Sequence, residues 1–290
     1  LNKVRGKARA GIQAPDSTKD IRQPLHEMRL IKDAHEIALM QQAANISAVA
    51  HQKVMQAAQV GLYEYTLEAE FAYHCTRAGA RALAYPSIVA SGANACVLHY
   101  VANNAPLRDG DLLLIDAGCE WQGYASDITR TFPVNGRFSA AQKAVYEVVL
   151  AAQLAAIDAV RVGQHWNQPH EAALKVLAQG LIDLGICHGS VDGVIESEAY
   201  KPYYMHRTGH WLGLDVHDVG VYKQAGQWRS LQQGMVLTVE PGLYLRPSDA
   251  VPVEFHHIGI RIEDDVLVQA GGANVLTAAV PKTVAEIEAV

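Results

Sequence analysis

Four carboxylates and one imidazole of this chain are embedded in apolar runs. Asp116, Asp127, His210, Glu240 and Glu263 lie in the segments LLLIDAG, YASDITR, HRTGHWLGLDVHD, VLTVEPG and GIRIEDD, respectively. Burying an unpaired carboxylate costs several kcal/mol, so four of them in stretches that look like core strands require positive charge nearby. Two divalent metal ions would supply that charge.

The donor set indicates which metals would fit. Oxygen-rich sites with one imidazole suit Mn, Co, Fe or Zn, whereas a structural zinc site uses Cys and His. Carboxylates can bridge, so five residues suffice for two ions about 3.5 to 4 Å apart, a spacing typical of hydrolases. A single aspartate at a strand end is often a turn former or a cap, but that alternative requires each of the four acids to find its own separate partner.

Composition excludes several other classes of protein. The chain has 290 residues, 50% of them hydrophobic, and a formal net charge of −6, which does not suggest a nucleic-acid binder. It has no signal-peptide pattern and no apolar run of the length that a transmembrane helix needs. The cysteines have no CxxC spacing and are interpreted as reduced thiols of a cytoplasmic protein: Cys75, Cys96, Cys119 and Cys187.

Periodicity and capping signals predict an α+β layout in which a pair of helices and then antiparallel strands occur twice. Four helices are predicted: residues 30–58, Thr66 to about Gly79, the Ser139 capping box to about Arg161, and Asn167 to about Gly185. The predicted strands are SIVASG, DLLLIDAG, YASDITRTF, MVLTVE and GIRIEDDVLV. Because the acidic residues come from both halves, one domain is the better count.

Strand geometry brings some of these acids together. Asp116 ends one predicted strand and Asp127 begins the next extended segment after a turn at residues 120–123, so neighbouring antiparallel strands place them side by side. In GIRIEDD, a period of two puts Arg261 and Glu263 on one face of the strand.

Histidines cluster around His210. His206 and His217 lie four residues before it and seven after it, and the intervening glycines make a loop or strand as good a prediction as a helix. A lone histidine is more often a core residue, but three within twelve positions favour a site. His99 carries a weaker signal, and its alternative is a histidine of a surface loop.

Together these segments resemble the X-Pro aminopeptidase (aminopeptidase P) and prolidase family of metallopeptidases. The resemblance extends from about Ile31 to Val268 and includes the following motifs: AYPSIVASG, LHYVANN, GDLLLIDAGCEWQGYASDITRTFPVNGRFS, HWLGLDVHDVG, VLTVEPGLY and GIRIEDD. It implies the pita-bread (creatinase/aminopeptidase) fold, an antiparallel sheet flanked by two helix pairs in pseudo-twofold arrangement.

The resemblance also implies roles for the five acidic and imidazole residues. Asp116 would bind one metal ion, His210 and Glu240 the other, and Asp127 and Glu263 would bridge both. The expected cofactors are two divalent ions, Mn first, with Co or Zn as alternatives.

The implied reaction is hydrolysis of the N-terminal X-Pro bond by a hydroxide held between the two metals. Glu240 would manage the proton. His99, His206 and His217 would donate hydrogen bonds to the tetrahedral intermediate or line the proline pocket, and Arg261 would orient the ligand carboxylates. The expected partners are peptides with proline at the second position; neither nucleic acid nor membrane is expected, and a homo-oligomer is left open.

Several alternatives stay open. An X-Pro dipeptidase (prolidase) is the nearest, and a family member without peptidase activity that acts as a binding protein is the second. Methionine aminopeptidases usually carry Glu where Asp218 follows His217, and creatine amidinohydrolases share the fold. Arg207 stands where the family often has a small residue, which suggests a preference for acidic or C-terminal groups at the pocket mouth.

The family usually has a further N-terminal domain, and this chain begins near the linker that would follow it. We therefore predict that residues 1–22, with four early basic side chains, are a linker or N-terminal extension. Residues 23–290 would form the catalytic domain.

Overall fold

A computed structural model describes residues 2–13, 15 and 17–290, except the side chain of residue 8. The helices of this described part are α1 Asn2–Arg5, α2 Arg22–Leu30, α3 Ala34–Ala57, α4 Glu64–Arg77, α5 Ala140–Asp158, α6 Gln168–Asp183, α7 Val191–Glu196 and α8 Val284–Ile287. Its strands are β1 Ala82–Leu83, β2 Ile88–Ser91, β3 Leu112–Asp116, β4 Cys119–Trp121, β5 Tyr124–Ala125, β6 Thr129–Pro133, β7 Lys223–Gln224, β8 Gln227–Trp228, β9 Val236–Val239, β10 Gly242–Leu245, β11 Ile258–Arg261, β12 Asp264–Gln269 and β13 Gly272–Val275. Short 3₁₀ turns occur at Ala8–Ala10, Gly92–Cys96 and Val253–Phe255.

Two helix pairs pack against antiparallel sheets. Helix α3 packs on α4, and α5 packs on α6. The strand orders are β2-β3-β6 in the first half and β13-β12-β9 and β10-β11 in the second, with the smaller sheets β1-β4-β5 and β7-β8, and all these pairings are antiparallel. The predicted layout of helix pairs followed by antiparallel strands is confirmed.

Local capping chemistry explains where two long helices begin. Asp33 caps α3 and Ser139 caps α5, each in a capping box with the third residue of its helix, so the predicted Ser139 box is confirmed. The predicted start of the first long helix at residue 30 is wrong, because residues 31–33 separate α2 from α3.

The predicted N-cap Thr66 is wrong, since α4 begins at Glu64 with Tyr63 in the cap position. The reason is a set of contacts from distant parts of the chain. The buried Glu64 carboxylate accepts hydrogen bonds from five groups: Ser91 N, Ser91 Oγ, Asn94 Nδ2, Tyr100 Oη and Ala105 N. These contacts fix the start of the helix earlier than the local capping signal indicates.

Two segments that were predicted as continuous strands are broken where they supply site residues. YASDITRTF splits into β5 and β6 around Asp127, and GIRIEDDVLV splits into β11 and β12 around Glu263. β11 pairs with β10, whereas β12 pairs with β9 and β13, so the chain changes sheets at this break. Both acids therefore lie at irregular backbone positions between strands.

One helix of the described residues, α5, meets the length and hydropathy limits for crossing a membrane. It packs against α6 and against β9, β10 and β11, and it buries one side in the hydrophobic core, which explains its apolar composition. All four cysteines are buried, and none is in a disulfide, which agrees with the interpretation as thiols. The division of the chain at residues 22 and 23 stays a prediction.

Candidate metal centre

The five acidic and imidazole residues lie around one cavity of about 610 Å³ between the two halves of the sheet arrangement. The cavity is also lined by the other residues singled out from the sequence: His99, His206, Arg207, His217 and Arg261. Aliphatic and aromatic side chains form much of the remaining wall: Tyr85, Pro86, Ile88, Leu98, Val101, Val216 and Tyr222. We call the part formed by the five acidic and imidazole residues the floor of the cavity; it lies beside a largely apolar wall.

Asp116 and Asp127 approach each other across a tight backbone crossing. Asp116 ends β3, and Asp127 lies just before β6, the antiparallel partner of β3. Between them, a Cβ on Gly118 would lie 1.8 Å from the carbonyl oxygen of Ser126, so only glycine permits this approach. Tyr85 Oη lies 2.7 Å from Asp116 Oδ1 and 2.5 Å from Asp127 Oδ1. One hydroxyl hydrogen cannot serve both carboxylates at once, so Tyr85 satisfies only one of the two.

Glu263 is 2% exposed and receives little compensation from its neighbours. Its Oε2 accepts a 2.5 Å hydrogen bond from Thr129 Oγ1. Burial, reinforced by the nearby charges of Asp127 and Glu240, raises the pKa of Glu263 well above its usual value. A cation bound beside this carboxyl group would therefore stabilise its ionised form.

Arg261 is the buried cation at the site. It donates to Asp116 Oδ2 at 2.6 Å and to Tyr244 Oη at 3.0 Å. Burial nevertheless raises the pKa of Asp116, so one guanidinium does not fully offset the cost of burying that carboxylate. As period two predicts, Arg261 and Glu263 face the same cavity, although the strand breaks between them.

His210 is positioned by a close approach of its loop to β9. A Cβ on Gly209 would lie 2.0 Å from the carbonyl oxygen of Thr238, and His210 N donates to Thr238 Oγ1 at 3.1 Å. The His210 ring then points its Nε2 toward Asp127 Oδ2 at 3.4 Å and Glu240 Oε1 at 3.6 Å. The segment from His206 to His217 is a loop and not a helix, in agreement with one of the conformations that the sequence left open.

Electrostatics couple His210 to the acids. Burial alone would lower the pKa of His210, but the carboxylates of Asp127 and Glu240 outweigh this effect and raise it to about 9. Burial raises the pKa of Glu240 to about 7. In this chain the imidazole therefore holds a proton that a divalent cation would displace.

The donor geometry fits a metal. One ligand atom from each of Asp127, His210 and Glu263 lies within 4.8 Å of the others, close enough to share a small cation. Within the described residues, Arg261 is in ion-pair contact with Asp116, and protonated His210 with Asp127 and Glu240. Two positive groups thus serve four carboxylates, and Glu263 has no ion-pair partner among these residues. A net deficit of positive charge in a buried pocket is the condition that divalent ions satisfy.

The flanking histidines differ in their surroundings. His206 Nδ1 lies 2.8 Å from the Arg207 carbonyl oxygen and must donate to it, so Nε2 accepts from Tyr244 Oη, also at 2.8 Å. Burial lowers the pKa of His206 to about 3 and keeps the ring neutral. His217 is exposed, with its ring 4.4 Å from that of His210, and His99 is exposed on the cavity wall.

Sequence reasoning missed the contacts that two residues make. Tyr85, which contacts two acids, lies in AYPSIVASG, where no periodicity or charge marks it out. The other is Asp218, next to His217. Its buried carboxylate accepts hydrogen bonds from Lys32 Nζ, at 3.1 Å, and from Arg29. This pairing ties α2 and the segment after it to the loop of His217.

Comparison with known proteins identifies the family. A sequence model of metallopeptidase family M24 matches residues 38–270. The chain belongs to metallopeptidase family M24. It is similar to the Xaa-Pro aminopeptidase of Haemophilus influenzae, 53% identical over 93% of this chain and 62% of that protein.

Solved structures of M24 peptidases support the same assignment. Aminopeptidase PepP of Pseudomonas aeruginosa has 55% identity and a TM-score of 0.97 over 99% of this chain and 65% of that one. A zinc-substituted Escherichia coli aminopeptidase P in complex with product has 48% identity and a TM-score of 0.96 over 100% of this chain and 66% of that one. The predicted pita-bread fold is confirmed. The chain spans less than two thirds of the length of these relatives.

Proposed function

We propose that this chain is an X-Pro aminopeptidase that hydrolyses the peptide bond before a proline in second position. The observation that carries the proposal is the convergence of four carboxylates and His210 on one cavity with too little positive charge. Membership of family M24 and the similarity to Xaa-Pro aminopeptidases support the same reaction.

The proposed ligands are the five residues on the cavity floor. Asp116 would hold one ion, His210 and Glu240 the other, and Asp127 and Glu263 both. When bound, two divalent ions would make a water molecule a strong nucleophile near neutral pH and polarise the substrate carbonyl. Mn is the proposed ion, with Co and Zn as alternatives.

Glu240 is the proposed proton carrier. Its carboxyl group lies 3.6 Å from His210 Nε2 and 3.8 Å from His206 Nδ1. A carboxylate at this position, beside the proposed metal site, can accept and release a proton. It would take the proton from the attacking water and deliver it to the departing proline nitrogen.

The histidines would divide their tasks. Both ring nitrogens of His206 are engaged by the Arg207 carbonyl and Tyr244, so we assign it to the wall of the pocket. His99 and His217, exposed at the same cavity, would donate to the oxygen of the attacked carbonyl. Arg261 would keep Asp116 oriented through its 2.6 Å contact.

The apolar wall supports the choice of proline. A proline ring has no amide hydrogen to donate, so its recognition depends on apolar contact and on space. Ile88, Leu98, Val101 and Val216 offer that surface beside the acidic floor.

The test is cleavage of Ala-Pro-Leu and of Ala-Pro by the purified chain, with Mn, Co and Zn compared. We expect release of alanine from the tripeptide. Cleavage of the dipeptide alone would identify a prolidase instead, and no cleavage with any metal would refute the proposal.

Asp127→Ala tests the proposed metal ligands. Because it removes a proposed bridging carboxylate, the rate should fall to background while circular dichroism shows an intact fold. A variant that retains the wild-type rate would contradict the assignment of Asp127.

We further propose that residues 23–290 are the catalytic domain, and that the protein works in the cytoplasm. The four unpaired cysteines support a reducing compartment.

A further inference from the structure

Arg207 lies at the cavity, next to His206 in sequence. Two arginines line this cavity, and they differ in exposure. Arg261 is 4% exposed and bonded to Asp116, whereas Arg207 is exposed to solvent. Arg207 is thus the arginine that an incoming peptide meets first.

Arg207 is held in place rather than mobile in solvent. Its Nη2 donates to Asn167 Oδ1, and its guanidinium carbon lies 5.3 Å from the centre of the Trp228 ring. Asn167 Nδ2 donates to Glu171 Oε1 at 2.7 Å, which fixes the amide with its oxygen toward Arg207. An arginine oriented beforehand loses less conformational entropy when it binds a ligand.

The charge of Arg207 is not neutralised. Within the part of the chain that the structure describes, no carboxylate lies within 4 Å of its guanidinium nitrogens. A second cation stands nearby, because Lys223 Nζ lies 4.2 Å from the centre of the same Trp228 ring. Of these two cations on one indole, Arg207 lines the cavity and Lys223 does not, so a ligand in the cavity would meet the charge of Arg207.

We propose that Arg207 binds a carboxylate of the substrate beyond the proline, an inference that rests on the proposed function. The first residue of the substrate carries an ammonium group, which suits the acidic floor and which Arg207 would repel. A guanidinium has five N–H donors, and the bond to Asn167 Oδ1 uses one of them, so donors remain for a carboxylate. The carboxylate would be the C-terminus of a short peptide or an acidic side chain after the proline.

Two substrate pairs distinguish these sources. Ala-Pro-Leu is compared with its C-terminal amide, and the amides of Ala-Pro-Asp and Ala-Pro-Asn are compared with each other. For at least one pair we expect kcat/KM to favour the acid by about two- to five-fold, the range of an exposed ion pair. The preference should shrink at high salt.

Arg207→Met removes the charged guanidinium and keeps an unbranched stem, and it should bring the acid-to-neutral ratio to about one. Lys223→Met is the matched control. It removes the other cation on Trp228, does not line the cavity and should keep the wild-type ratio. A preference that persists in Arg207→Met, or that is absent from the wild type, overturns the proposal.

A binding measurement separates this inference from the proposed reaction. The product Pro-Leu and its amide have no X-Pro bond, so their dissociation constants can be measured by calorimetry without turnover. The amides of Pro-Asp and Pro-Asn form the second pair. For at least one pair, the metal-loaded wild type should bind the acid about two- to five-fold more tightly, and Arg207→Met should bind acid and neutral ligand alike. If no X-Pro peptide is cleaved, the proposed function fails, and equal binding within both pairs by the wild type refutes the role of Arg207.

Discussion

Glu263 and Asp264 are neighbours in sequence and both are buried, yet their surroundings are opposite. Asp264 accepts hydrogen bonds from four side chains: Arg130 at 2.7 Å, Gln153 at 2.6 Å, Thr277 at 2.7 Å and Lys282 at 2.8 Å. Among the described residues, the Glu263 carboxylate accepts one hydrogen bond, from Thr129, and otherwise faces the acids of the cavity. The chain therefore supplies cations to one acid and leaves the other to an external cation.

The pKa values of the two acids express this difference. Burial opposes ionisation at both positions. At Asp264 the charges of Arg130 and Lys282 outweigh burial and lower the pKa to about 2. At Glu263 burial and the surrounding carboxylates raise the pKa. Asp264, with its own cations, serves the fold, whereas Glu263, which lacks both cations and most hydrogen-bond donors, belongs to the cavity site.

The largest expected effect comes from Asp264→Asn. The change leaves Arg130, which is fully buried, without a counter-charge, and losing one partner of a buried ion pair costs about 3 to 5 kcal/mol. Denaturant unfolding of the chain without added metal would measure this loss. A loss below about 1 kcal/mol would remove the distinction between the two acids.

The pH dependence of the unfolding free energy should reveal the contribution of Asp264. Because the folded pKa of Asp264, about 2, lies below its ordinary value of 3.8, its contribution is complete above about pH 5. The contribution amounts to about 2 kcal/mol in all and is lost as the pH falls toward 2. Roughly half of it is lost by about pH 3. The gap in unfolding free energy between wild type and Asp264→Asn should narrow accordingly, and a constant gap would contradict the pairing.

The smallest effect on stability should come from Glu263→Gln in the chain without added metal. The change removes one carboxylate from a site where carboxylates outnumber positive groups. The unfolding free energy should therefore stay within about 1 kcal/mol of wild type or rise. The same variant should lose the stabilisation that Mn gives the wild type. A loss as large as that of Asp264→Asn would show that Glu263 is a structural acid.

The sequence predicted those features that arise from local chemistry. The Ser139 capping box, the end of a strand at Asp116 and the shared face of Arg261 and Glu263 follow from periodicity and capping, which neighbouring residues determine. The meeting of Asp116 with Asp127 followed from antiparallel pairing across one turn.

Features set by distant contacts could not be predicted in this way. The start of α4 depends on hydrogen bonds from residues 91–105 to Glu64, and the break before Asp264 depends on a change of partner strand. Tyr85 reaches the acids because β2 pairs with β3 in a register that places Ile88 opposite Asp116. No pattern within AYPSIVASG carries that information.

The stoichiometry of Mn binding to the metal-free wild-type chain, measured by titration calorimetry and by metal analysis after dialysis, tests the central claim most directly. We expect two Mn ions per chain, and fewer in Glu263→Gln, because the cavity carboxylates exceed the cations that the chain supplies. Less than one ion per wild-type chain would contradict the account.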